Sequence, residues 1–228
     1  MAKNRLSTIF RTMFDKDHVI NVCFNHTGKM AGMYSISTAC TLNKHCIERA
    51  KNKESICADC FAQSMFKNGF YKWTLKRCEH NTHILTTTVL DVVDLPLINA
   101  FAFRFEAFGD IQNTTQVINY FNICNYNPRV TFAIWTKNPF IIANAIRDGH
   151  KKPKNLIIIY SSPIKNKAVS LERIKAVFPF VDKVFTVWTN EETATANGVR
   201  INCGAKACMK CLKCYTKEDS NVISELLK

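Results

Sequence analysis

From about residue 100 the apolar positions change period at regular intervals. Residues 100–107 (Ala-Phe-Ala-Phe-Arg-Phe-Glu-Ala) alternate strictly, the two-residue period of a strand. Residues 113–126 place Val117, Ile118, Phe121 and Cys124 on one helical side, with Asn113 or Thr114 as the cap. Strand character returns over 129–135, and 138–149 reads as a helix with Pro139 in its first turn and Gly149 at its end. Residues 155–160 are apolar throughout, as in a parallel strand covered on both faces. A short helix over 170–177 and a strand over 182–188 follow. Strand starts near 101, 130, 156 and 183 lie one βα unit apart. The alternation predicts a parallel sheet, either an incomplete (β/α) barrel or a doubly wound sheet. We take the fold class as α/β, a partial (β/α) barrel of about five to six mainly parallel strands with cysteine-rich metal-binding loops.

The first hundred residues are less regular. Residues 1–17 read as an arm or short helix, 18–24 as a β-branched strand, and 25–29 as a turn. The Gly28-Lys29 pair follows a strand as in a phosphate loop, but the upstream glycine of that motif is missing. Residues 60–88 favour helix, divided at Gly69. The chain is read as one domain: the arm (1–17), a strand with the first cysteine cluster (18–62), βα repeats (63–190), and a second cysteine cluster with a final helix (200–228).

The expected strands end alike, in Phe108-Gly109-Asp110, Trp135-Thr136-Lys137, Tyr160-Ser161-Ser162 and Trp188-Thr189-Asn190. Parallel α/β sheets bind ligands at the carboxyl ends of their strands, so these residues are candidate ligand contacts. The alternative for Thr136 and Ser161 is capping of the next helix. Asp110 beside Gly109 could approach a ligand amine closely. Glu106 lies four residues earlier and could face the same site, or pair with Arg104.

Composition narrows the setting. The chain has 228 residues, 47% of them hydrophobic, and a formal net charge of +13. That is length for one sizeable core. Apolar runs are too short to span a bilayer and the first residues lack a signal-peptide core, so a cytoplasmic protein without a membrane partner is expected. The basic surface suits DNA or RNA as a partner, although its lysines and arginines are dispersed. No Gly-x-Ser-x-Gly elbow, complete phosphate loop or paired-carboxylate pattern is present.

The eleven cysteines carry the candidate chemistry. In a reducing compartment they are thiols or metal ligands rather than disulfides. Cys40, Cys46, Cys57 and Cys60 form one set, and Cys203, Cys208, Cys211 and Cys214 another. Cys-x2-Cys spacing puts two sulfurs on one side of a short turn, and four thiolates satisfy either tetrahedral zinc or an iron–sulfur cluster. Cys23, Cys78 and Cys124 stand singly and read as small buried hydrophobes. His45, beside Cys46, is a substitute ligand. Lys206, Lys210 and Lys213 interleave the second set, where they could offset thiolate charge or contact phosphates.

Cys57-x-x-Cys60-Phe61-Ala62, a strand ending in Gly109-Asp110, a strand ending in Thr136-Lys137 and the tail from Cys203 to Cys214 together resemble the phage gene product eighty-eight family. They look, more distantly, like radical S-adenosylmethionine (SAM) enzymes of the spore photoproduct lyase branch. That resemblance implies a partial barrel in host cytoplasm and a [4Fe–4S] cluster on three cysteines with SAM at its open iron. It further implies that Gly109 and Asp110 hold the SAM amino group, that Thr136, Lys137 and Ser161 line the site, and that the tail binds an auxiliary cluster or zinc. The implied activity is modification or processing of nucleic acid. The sequence departs from that pattern: a long insert separates Cys46 from Cys57, Phe61 stands where tyrosine is commoner, and a fourth cysteine is present. A closed four-cysteine site is structural, so a non-catalytic zinc-binding, nucleic-acid-binding or replication-associated protein is the alternative.

Overall fold

β-Branched and aromatic runs pair side by side in the order in which they occur along the chain. The computed structural model describes residues 20–227 apart from 205 and 219. The arm expected over 1–17 and the start of the 18–24 strand lie outside the described residues. Seven strands form one sheet: β1 (Cys23–Phe24), β2 (Tyr34–Ile36), β3 (Ala102–Phe105), β4 (Thr131–Thr136), β5 (Leu156–Ser161), β6 (Lys183–Trp188) and β7 (Val222–Leu226). Only the β1–β2 pair is antiparallel. The order β1 to β7 never reverses, which removes the doubly wound alternative. The sheet is also open, since β1 and β7 stand at opposite edges, so no closed barrel forms.

The helices α1 (Lys44–Ala50), α2 (Phe61–Lys67), α3 (Lys72–Thr87), α4 (Thr114–Tyr126), α5 (Pro139–Arg147), α6 (Leu171–Val177), α7 (Glu191–Ala196) and the single turn α8 (Cys208–Cys211) fill the connections. Asn113 caps α4 by accepting from the Gln116 amide, and Ser170 caps α6 by accepting from Arg173. The expected break at Gly69 is a 3-10 turn between α2 and α3.

Alternation along the strands divides the core. Phe103, Phe105, Phe132, Ile134, Leu156, Ile158 and Val184 face α3, α4, α5 and α6. The intervening residues Ala102, Ala133, Ile157 and Ile159 face the other way, where Met33, Tyr215, Met209 and Leu212 cover them. One face is thus closed by helices and the other by the cysteine-rich tail.

Three expectations change. β2 lies in what reads as a loop before Cys40, because Ser35 and Ile36 gain a parallel partner in β3. The expected final helix is β7: Val222 and Ile223 suit the open edge of β6, which pairs over Val184–Trp188. The first cysteine cluster is likewise more ordered than a loop, with Cys46 in α1 and Cys57 in a 3-10 turn over Ile56–Asp59.

Gly109 shows how tightly the strand ends pack. A Cβ there would lie 2.6 Å from both the carbonyl oxygen and the hydroxyl of Thr38 and would also overlap the Glu106 carboxylate. Gly109→Ala should cost about 1–3 kcal/mol, seen as a lower urea midpoint with an unchanged slope. An unaltered midpoint would show that this contact gives way easily.

Candidate thiol centres

The first set of thiols is brought together at the carboxyl edge of the sheet by polar anchors. Asn43 caps α1, accepting from the amides of His45 (3.0 Å) and Cys46 (3.4 Å), and its own amide donates to the Asp110 carbonyl (2.9 Å). The Cys57 amide donates to Ser55 Oγ (3.1 Å), and the Ile56 amide donates to the Pro163 carbonyl (2.9 Å). Lys165 Nζ pairs with Asp59 at 2.7 Å. The thiol loop is therefore fastened to the loops that follow β3 and β5. Cys40 and Cys57 are buried, while Cys46 and Cys60 are partly exposed. Ala39, Ala62, Phe66, Cys78 and Phe108 pack around the set and limit its contact with water.

These thiols sense one another. Cys40 hydrogen-bonds to Cys60, which with the Gln63 and Ala62 amides and Lys137 outweighs burial and lowers Cys60 to about 6. The same bond, with burial and the neighbouring thiols, pushes Cys40 up. Burial raises Cys46, helped by Asp110 and opposed by Lys137. Burial pulls the Lys137 ammonium down, but Asp110 and the thiols of Cys57, Cys46 and Cys60 outweigh it and hold it up. A cation thus acts on three of the four sulfurs, those of Cys46, Cys57 and Cys60. His45 accepts at Nε2 from Arg49 (2.8 Å), so that nitrogen is directed at a guanidinium. Among the described residues, no three His, Cys, Asp or Glu side chains already stand in metal-ligand geometry, and no disulfide joins the cysteines.

The strand-end candidates separate. Asp110 is buried and its carboxylate is engaged: Oδ1 accepts from Thr136 Oγ1 (2.6 Å) and the Ile111 amide (2.8 Å), and Oδ2 from the Lys137 amide (2.9 Å). Thr136 also accepts from the Asn138 amide (2.9 Å), a local turn ahead of α5, whose N-cap Asn138 has no side-chain capping bond. Thr136 shares the helix-side face with Phe132 and Ile134, whereas Ser161 shares the opposite face with Ile157 and Ile159. Gly109 packs on Thr38 and Glu106.

Glu106 does not pair with Arg104. It is buried with a left-handed backbone, φ 56°. Its carboxylate accepts from the Thr38 amide (3.1 Å), Thr38 Oγ1 (3.0 Å), Gln116 Nε2 (2.5 Å) and the Tyr120 hydroxyl. These donors join β2, β3 and α4 beneath Cys40. Sequence reading missed Thr38, Gln116 and Tyr120, since nothing local marks residues that meet only across strands.

The second set lies on the face that the tail covers, with Cys208 and Cys211 in α8. The Cys208 amide donates to the Lys29 carbonyl (2.8 Å), and Lys29 Nζ donates to Cys203 Sγ (3.0 Å) while pairing with Glu225 (2.6 Å). Arg104 lies 4.2 Å from the centre of the Trp135 ring and reaches Met30 Sδ (3.4 Å). Burial, with the charges of Cys203, Cys208 and Cys211, raises Cys214 to about 12 against the pull of Arg104. The cations beside these sulfurs are thus Lys29 and Arg104. Lys206 and Lys210 are exposed, and Lys213 donates to the Asn202 carbonyl (3.2 Å). Gly28-Lys29 serves this ion pair, and no helix opens after it.

An open, singly wound α/β sheet with one thiol set at its carboxyl edge and another in the tail that closes one face defines the class of protein. A family model described as Gene product 88 matches residues 15–224, and the chain belongs to that family. No curated protein and no solved structure matches it. Among the described residues, no helix is long and apolar enough to cross a membrane.

Burial pushes Glu106 from its ordinary 4.5 up to about 7, against its hydrogen-bond donors. The folded chain keeps this proton where the unfolded chain has lost it. This contribution to stability is therefore fully present below pH 4.5 and disappears as pH rises to about 7. Urea unfolding across that window should show a loss on the order of 2–3 kcal/mol that Glu106→Gln lacks. Parallel profiles for the two proteins would refute this.

Proposed function

We propose that this chain is a two-centre metal–thiolate protein, with an iron–sulfur centre of radical SAM type at the carboxyl edge and a second thiolate centre on the tail-covered face, acting on nucleic acid. The observation that carries the reading is the packing of Cys40, Cys46 and Cys60 on one cluster at the carboxyl edge, with Lys137 acting on Cys46, Cys57 and Cys60. Cysteine sulfur is the donor for iron–sulfur clusters, and the sequential parallel strand order is one that an incomplete barrel shares. When bound, such a cluster supplies one-electron reducing power. Cys46, Cys57 and Cys60 would hold it. Cys40 donates to Cys60 within the set, and Lys137 offsets thiolate charge. Asp110, engaged by Thr136 and the Lys137 amide, orients the β4 end, and Phe66 and Phe108 exclude water. On the other face, Cys203, Cys208, Cys211 and Cys214 would hold a second cluster or zinc, with Lys29 and Arg104 as charge partners.

A second reading rests on Cys40. Its thiol is buried inside the first set, so four protein sulfurs are available, and a closed four-thiolate site suits structural zinc in a non-catalytic nucleic-acid-binding protein.

Anaerobic purification separates the two. The first reading expects brown protein with broad visible absorbance, iron and acid-labile sulfide, and heat on titration with SAM. Colourless protein carrying zinc alone would replace it with the second. Cys57→Ser should empty the first centre and Cys208→Ser the second, each leaving the other's metal in place. Protein that binds neither iron nor zinc would overturn both readings.

A further inference from the structure

Beside the first thiol set the chain leaves a run of aromatic side chains in water. Phe70 is 91% exposed, Trp73 76% and Tyr71 43%. Single apolar residues on a surface need no explanation, but these three follow one another over the 3-10 turn Gly69–Tyr71 and the start of α3. Lys67, Lys72, Lys76 and Arg77 are exposed around them. No acidic residue occurs between Gln63 and Cys78. Among the described residues, none of these four cations forms a salt bridge. Trp73, Lys76 and Arg77 share one helical face by their spacing, and Lys76 Nζ stands 5.2 Å from the centre of the Trp73 ring. Farther along, α3 buries Cys78, Ile84 and Leu85, so the exposed strip is confined to its first turns.

We propose that Phe70, Tyr71 and Trp73, with Lys67, Lys72, Lys76 and Arg77, form a docking surface for single-stranded nucleic acid. Exposed rings stack on unpaired bases of any sequence while nearby cations meet the phosphates. A duplex hides the base faces and offers only its backbone to such a strip. A membrane surface calls for one continuous apolar face, and here Asn68 and Lys72 interrupt it. The strip also leads to the thiols. α2 connects it to Phe61, which is 58% exposed and whose ring lies 6.1 Å from that of Phe108. Phe108 in turn packs against the buried cluster that contains Cys40 and Phe66, against which Cys46 and Cys60 also pack. A strand held on Phe70 and Trp73 is thereby brought beside the first centre. The inference deepens the proposed function by locating its substrate surface, and it rests on that reading only for what happens to the strand after binding.

The test is fluorescence anisotropy of the full-length, anaerobically purified protein with labelled oligo-dT, oligo-U, a DNA duplex and phosphatidylserine vesicles. Single strands should bind more tightly than the duplex. Phe70→Ala and Trp73→Ala should each weaken them about tenfold. Lys72→Ala should reduce the log–log salt slope by about 0.7. Circular dichroism and metal content of the variants should match the parent. The surface is overturned if both aromatic variants bind like the parent, if the duplex binds as tightly as the single strands, or if only vesicles bind. Aromatic-dependent binding by protein that lacks iron and zinc supports the surface and removes the metal reading. Metal-replete protein with no such dependence does the reverse.

Discussion

A parallel sheet must be buried on both faces, and the crossover helices of this chain cover only one. With strand order that never reverses, the crossovers α3 to α6 gather on one side. The other face carries Ala102, Ala133, Ile157 and Ile159, which cannot be left to water. The tail from Cys203 to Tyr215 closes it, with Tyr215 donating to Met33 Sδ (2.9 Å) and packing against Trp135. β7 then returns the chain to the sheet beside β6. The second thiol set is therefore a wall of the core as well as a candidate metal centre, and loss of its geometry would expose the sheet.

The first set has a different relation to the fold. It sits at the carboxyl edge, above a polar layer in which Glu106 binds Thr38, Gln116 and Tyr120, and Asp110 binds Thr136 and the Lys137 amide. Each carboxylate is buried with donors on both oxygens, which makes its removal costly and its position well defined. Glu106 keeps a left-handed backbone that its surroundings over-determine. Cys40 lies two residues beyond Thr38, so this layer supports the start of the thiol loop. Side-chain amides do similar work on the connections: Asn119 and Asn127 bond the backbone around residues 85–98, which has little regular structure.

Much of the repeat region was legible because its periodicity is local. The strands near 101, 130, 156 and 183 and the helices over 113–126, 138–149 and 170–177 appear within a few residues of their expected bounds. The spacing of the cysteines is equally local, but among the described residues no three candidate ligands stand in metal-ligand geometry. β2 and β7 were not legible, since a short or polar segment becomes a strand only when a neighbour supplies hydrogen bonds.

Sequence alone settled which residue types were available: eleven cysteines, an excess of cations, and apolar periods of two and 3.6. Tertiary structure alone decided their company. It directed Lys137 to the first thiols, Lys29 and Arg104 to the second, and Tyr120 to Glu106, and it set Thr136 and Ser161 on opposite faces of one sheet. Charge and hydrogen bonding act through space over a few ångströms, and only the folded chain fixes which distant residues come that close.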